Sequence, residues 1–128
     1  MPDWDTYKAE AQARGALAFE LFVVQSTPAQ SPEVLKTNLP AHLAYQAKLE
    51  AEGTLVFAGP LSDETGMQME GMGMIIYRAP SIDTARALAD ADPMHSSGAR
   101  RYTLRKWMVN EGSLTVTVGL SGQSVVLS

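Results

Sequence analysis

The stretch Ala91 to Gly98, ADPMHSSG, sets Asp92 directly before Pro93 and follows it with His95, one of only two histidines in the chain. The other is His42, in LPAHLAYQ. An imidazole titrates near neutrality and suits proton transfer. A carboxylate beside it fixes the ring tautomer and supports the protonated form. Each residue also has a plain structural use. Aspartate before proline at a helix start is capping chemistry, worth ~1 kcal/mol. A histidine serves equally well as a packed or capping residue. Nothing in the spacing of His42 and Asp92 brings them together. His42, Asp92 and His95 are also, by type, a two-histidine, one-carboxylate donor set. No compact ligand motif such as HExxH accompanies them, so no metal is expected.

Other chemistries are excluded more firmly. The chain has no cysteine, which removes disulfides, thiolate nucleophiles and Cys-ligated metals. GMGM at Gly71 to Met74 lacks the third glycine and the strand–turn–helix setting of a phosphate loop. Ser96 and Ser97 have no nucleophile-elbow sequence around them. ARRYTLRKW is the one basic cluster, read first as a solvated strand edge. Its narrower use is that Arg101, Arg105 or Lys106 attracts a small carboxylate. A formal net charge of -4 argues against binding to nucleic acid.

The elements that must position these residues can be read from periodicity and punctuation. The 128 residues are 45% hydrophobic and 19% charged, as in an ordinary globular protein. They are read as a single domain, with a core over about 16–109 and a hairpin extension over about 113–128. Residues 3–14 read as a short helix ended by Gly15, and ALAFELFVVQS (Ala16 to Ser26) as a strand. The segment TPAQSPEVLKTN reads as a loop with one helical turn. A helix is expected from Leu39 to Glu52, with Pro40 in its first turn and Gly53 at its exit. Leu39, Leu43, Gln46 and Leu49 trace its apolar stripe, and His42 sits at the edge of that stripe. Strands follow at Thr54 to Leu61 and Gly71 to Ala79. A helix IDTARALADA capped by Ser81 comes next, then a strand Arg100 to Val109. SLTVTVGLSGQSVVLS reads as an added hairpin turning near Ser121 and Gly122. No segment has the ~20 apolar residues of a membrane span, and the N-terminus does not read as a signal peptide. A soluble, cytoplasmic protein with no membrane partner is expected.

The core order is β-α-β-β-α-β, the split-βαβ or ferredoxin-like α+β arrangement. Two helices cover one face of a four-stranded sheet. Yet both faces are apolar: Phe19, Leu21 and Val23 against Phe22 and Val24, and Met72, Met74 and Ile76 against Ile75 and Tyr77. A sheet with one wet face alternates instead. A second copy of the chain is the expected cover, which makes a homodimeric α/β barrel. The hairpin is a weaker candidate, since Leu114, Val116 and Val118 oppose Thr115 and Thr117.

The blocks LPAHLAYQAKLEAEGTLVFAGPL, GMGMIIYRAPSIDTARALADADPM and YTLRKW together resemble the YCII-related (YciI-like) family over about residues 18–109. The shared motifs are a helix histidine, a GPL strand end, a small-residue strand and DP after the second helix. The resemblance implies a dimeric α/β barrel whose active-site pair falls on His42 and Asp92. That family resembles muconolactone isomerases and includes a chloromuconolactone-dehalogenating enzyme. It therefore implies proton transfer or elimination on a small anionic organic molecule.

Three functional readings stay open on these residues. The first is a cofactor-independent enzyme of lyase, isomerase or dehalogenase type. In it His42 is the general base or acid, oriented by Asp92, and Tyr45, Gly59, Pro60, Met94, His95 and Trp107 are the pocket walls. The second is a non-catalytic, small-ligand-binding or stress-associated dimeric barrel. The third is an interaction protein whose C-terminal hairpin builds larger oligomers.

Overall fold

A computed structural model describes residues 1–128 of the chain. Two compact units emerge: Glu20–Trp107, and a second made of Met1–Phe19 with Met108–Ser128. The main sheet is four-stranded, built from β1 (Phe19–Pro28), β2 (Leu55–Ser62), β3 (Met69–Tyr77) and β4 (Arg100–Val109) in the order β2-β3-β1-β4. β3 pairs antiparallel with both β1 and β2, with Val23 opposite Ile76 and Phe57 opposite that same residue. β2 is an edge strand, and there Pro60 removes no central ladder bond. The helices α2 (Pro32–Ala51), α3 (Ile82–Ala91) and the single turn α4 (Pro93–Ser96) complete the β-α-β-β-α-β order. The α+β class with an antiparallel sheet agrees with the expectation and is consistent with a ferredoxin-like fold.

The core of the larger unit lies on one face of the sheet. Phe22 and Val24 from β1 and Ile75 and Tyr77 from β3 meet Leu49 of α2 and Ala85 and Ala89 of α3. The small alanines let α3 approach the sheet closely. Ser81 caps α3 by accepting from Thr84 N at 3.1 Å, and Asp83 lies in its first turn. On the opposite face, Phe57 and Trp107 keep about half of their surface exposed.

Helix α2 departs from the expected Leu39 to Glu52. It runs for 20 residues from Pro32, with Pro40 in its interior. The start signal is complete at Ser31-Pro32-Glu33: a serine cap, proline in the first turn and an acid against the helix dipole. Thr37 Oγ1 and Asn38 Nδ2 bond back to the carbonyls of Glu33 and Val34, both at 2.9 Å, so they continue the helix where a loop was expected. The expected stripe also divides. Leu49 enters the core, whereas Leu39 and Leu43 remain largely exposed.

In the smaller unit, α1 (Trp4–Ala13) is capped by Asp3, which accepts from Thr6 N at 2.9 Å. Ala11, Ala18 and Met108 form its buried centre, packed by Trp4, Tyr7 and Ala16. The C-terminal hairpin pairs β5 (Val116–Gly119) with β6 (Ser124–Leu127) as a separate two-stranded sheet. Val116 lies opposite Leu127 and Val118 opposite Val125, which gathers their side chains on one apolar face. No helix is long and apolar enough to cross a membrane.

Candidate functional site

Asp92 stands at the junction of α3 and α4. Proline at 93 disfavours helical backbone at the residue before it. Asp92 accordingly has φ -63° and ψ 125°, which ends α3 and starts α4. Its Oδ1 accepts from Met94 N at 2.9 Å, so the capping use read from the sequence is real. The same carboxylate is wholly buried and faces His42, 50 positions away on α2. His42 Nδ1 lies 2.8 Å from Oδ1 and 2.9 Å from Oδ2. A carboxylate only accepts, so Nδ1 carries the proton and donates. That leaves Nε2 as the free ring nitrogen. These bonds also account for the buried charge, which is costly without partners.

His42 lines a cleft of about 520 Å³, within the range of small-ligand sites. Leu39 and Leu43 of α2 form one wall with His42, and Gly59 and Pro60 of β2 form another. Met94, Met72 and Met74 add soft apolar surface, and Gly71 and Gly73 leave the β3 side without bulk. Ser26 and Arg100 are its polar members besides His42 and Gln46.

Arg100 and Ser26 belong to a second network. Arg100 Nε donates to Ser26 Oγ at 2.9 Å, and Nη2 donates to Ser26 O at 2.7 Å and to Gly71 O. Gly71 has φ +87°, and a Cβ there would sit 2.9 Å from Pro28 Cγ, so only glycine turns this carbonyl without strain. Ser26 Oγ lies 2.9 Å from His95 Nε2, and His95 Nδ1 lies 2.7 Å from Ala89 O. The His95 ring packs on Tyr102 with centroids 4.7 Å apart. Burial pushes the Arg100 guanidinium below its usual range, and the nearby Asp92 carboxylate pulls the other way.

The cleft thus brings together His42, Gly59, Pro60 and Met94, with Asp92 directly behind the imidazole. The structure places three other expected wall residues elsewhere. Tyr45 donates from its hydroxyl to Leu88 O at 2.7 Å and packs against the core. Burial raises its pKa. His95 uses both ring nitrogens on Ser26 and Ala89. Trp107 lines a shallow hollow with Val23, Met74 and Arg105. His42, Asp92 and His95 do not converge into one donor set, because His95 is turned away toward Ser26. Among the basic residues, the structure sets Arg100 in the cleft, and not Arg101, Arg105 or Lys106. Sequence reasoning missed Arg100 and Ser26. The available signal was alternation: Arg100, Tyr102 and Leu104 share the helix-facing side of β4, so Arg100 points inward.

A model of the YCII-related domain matches residues 18–108. The uncharacterized protein YjpA of Bacillus subtilis (strain 168) is 30% identical over 74 residues, covering 58% of this chain and 80% of YjpA. Among solved structures, 5-chloro-2-hydroxyhydroquinone dehydrochlorinase (TftG) from Burkholderia phenoliruptrix AC1100, in complex with 2,5-dihydroxybenzoquinone, superimposes with a TM-score of 0.54. That likeness has 24% identity and covers 68% of this chain and 92% of TftG, and it bears on the fold.

Proposed function

This chain belongs to the YCII-related domain family, and from that premise we propose that His42 and Asp92 transfer protons on a small anionic organic molecule held in the cleft. The observation that carries the reading is the arrangement of the imidazole. Nδ1 is committed to both oxygens of a buried carboxylate, and the ring lines a cleft of ligand size. Asp92 fixes the tautomer in which Nε2 holds a lone pair. It also stabilises the charge that the ring gains on taking a proton. In an elimination, Nε2 removes a substrate proton, the electrons of that bond form a double bond, and the leaving group departs with its electron pair. In an isomerisation, the same nitrogen returns the proton at another atom. No further group is required for either balance. TftG is a dehydrochlorinase bound to a hydroxyquinone, which favours elimination from a ring of that kind as the first reaction to assay.

The test is turnover of chlorinated hydroxyhydroquinones by the wild type and by His42→Gln. Glutamine keeps an N–H for Asp92 but has no titratable nitrogen. Loss of a positioned general base lowers kcat by about 10²–10⁴. An unchanged kcat in folded His42→Gln rejects the role of His42. Saturable binding without any turnover favours a ligand-binding protein.

We also propose that a second copy covers the open sheet face. Val23, Ile76 and Phe57 share that face by register, and Trp107 borders its hollow of about 290 Å³. Sedimentation of the full chain should give a dimer, and Trp107→Glu should shift it toward monomer. A wild-type monomer at micromolar concentration removes this assembly.

A further inference from the structure

Arg100 holds a cation in the cleft with no carboxylate in contact with it. Its bonding leaves an unusual remainder. Of the five guanidinium N–H groups, Nε–H goes to Ser26 Oγ, and the two on Nη2 go to Ser26 O and Gly71 O. Only the pair on Nη1 is left. The bidentate fork by which arginine grips a carboxylate takes two N–H groups pointing the same way from two different nitrogens. Every such fork here needs Nε or Nη2, and both are occupied.

The guanidinium is also fixed in orientation. Ala89 O only accepts, so His95 donates from Nδ1, and in that tautomer Nε2 is left to accept. Ser26 Oγ then donates to His95 Nε2 while accepting from Arg100 Nε. Every bond in the sequence Arg100, Ser26, His95, Ala89 runs in one direction. Ser26 is nearly inaccessible, so water does not compete for its hydroxyl. A cation held this way is preorganised for charge brought in by a ligand.

We infer that Arg100 anchors the ligand of this cleft through Nη1, and that the anion it selects is a single charged oxygen, an enolate or phenolate, in preference to a carboxylate. This deepens the proposed function by naming the substrate class and the residue that reads it. Arg100 binds the oxyanion and His42 moves a proton elsewhere on the same small molecule. Ser26 and His95 are positioning residues that act through Arg100.

The experiment is calorimetric titration of the full-length protein with 2,5-dihydroxybenzoquinone, whose ring oxygens carry the charge, and with benzoate. The wild type should bind the quinone anion and bind benzoate at least about tenfold more weakly. Arg100→Gln should weaken quinone binding by about 10- to 100-fold, the value of a charge-assisted hydrogen bond. His42→Gln should keep that binding. Ser26→Ala should raise KM by a few-fold and leave kcat in place, a split that mere loss of folded protein does not produce. If Arg100→Gln does not fold, the side-chain resonances of Arg100 in the wild type serve instead, shifting with the quinone and not with benzoate. Unchanged affinity in Arg100→Gln, equal or tighter binding of benzoate, unmoved Arg100 resonances or no quinone binding by the wild type overturns the assignment. A His42→Gln protein that keeps its turnover defeats the proton-transfer reading alone and leaves Arg100 standing.

Discussion

The two histidines carry the same side chain and end in opposite situations. His95 lies three positions from Asp92 in the chain, yet its ring does not bond to the Asp92 carboxylate; the ring of His42, 50 positions away, does. Both rings use Nδ1 on an acceptor. For His42 the acceptor is a buried carboxylate, and Nε2 remains free in a ring that lines the cleft. For His95 it is a backbone carbonyl, and Nε2 is closed off by Ser26. The first arrangement suits proton exchange with a ligand. The second suits a fixed support for Arg100. Residue type sets what an imidazole can do, and the partners of its two nitrogens decide which use is realised.

The strongest way to break this contrast is to treat both rings alike. His42→Gln should cost about 10²–10⁴ in kcat. His95→Gln should cost about tenfold in kcat/KM, carried by KM, as outer-shell supports do. Steady-state kinetics on one substrate checks both, and equal losses in kcat would erase the distinction. Next in size is Asp92→Ala. It removes a cap worth ~1 kcal/mol and leaves the imidazole N–H without its acceptor for another ~1–3, so about 2–4 kcal/mol is expected by urea unfolding. Gly71→Ala acts on the His95 side. A side chain at φ +87° that also meets Pro28 should cost about 1–3 kcal/mol and loosen Arg100, measured as a lower Tm together with weaker quinone binding.

Tyrosines beside the two histidines sharpen the comparison at smaller amplitude. Tyr45→Phe loses the bond to Leu88 O, about 1 kcal/mol of stability, and should leave kcat unchanged because the ring lies outside the cleft. Tyr45 is raised above its ordinary value of 10.0 by burial, and Tyr102 by burial and the hydrogen bond to Asp90. A raised value means that the folded state favours the protonated phenol. The stability this adds is whole below pH 10 and is lost as pH rises through the raised values. Stability should therefore fall at alkaline pH, less steeply in Tyr45→Phe and in Tyr102→Phe. Identical slopes in all three proteins would contradict this.

Local signals carried much of the fold. Ser81 and Asp92 cap helices at the expected places, and α3 and β4 keep their read positions because each has a clear boundary residue. Helix α2 shows where local reading misled. Pro40 is a strong boundary signal, yet the capped start at Ser31 and the packing of Tyr45 and Leu49 outweigh its cost of about 3 kcal/mol. Apolar periodicity named Leu39, Leu43 and Leu49 as one stripe. It could not tell a core from a cleft, since both are apolar surfaces.

By itself the sequence determined the order of the elements, the two-faced apolar sheet and the residue types capable of proton transfer. Those follow from spacing and backbone preference, which act over a few residues. Family resemblance pairs Asp92 with His42, but tertiary structure alone decided that the two side chains bond, that His95 turns to Ser26, and that Arg100 keeps one nitrogen unpaired. Hydrogen bonds form between groups that packing brings within 3 Å, and separation along the chain leaves no trace of that distance.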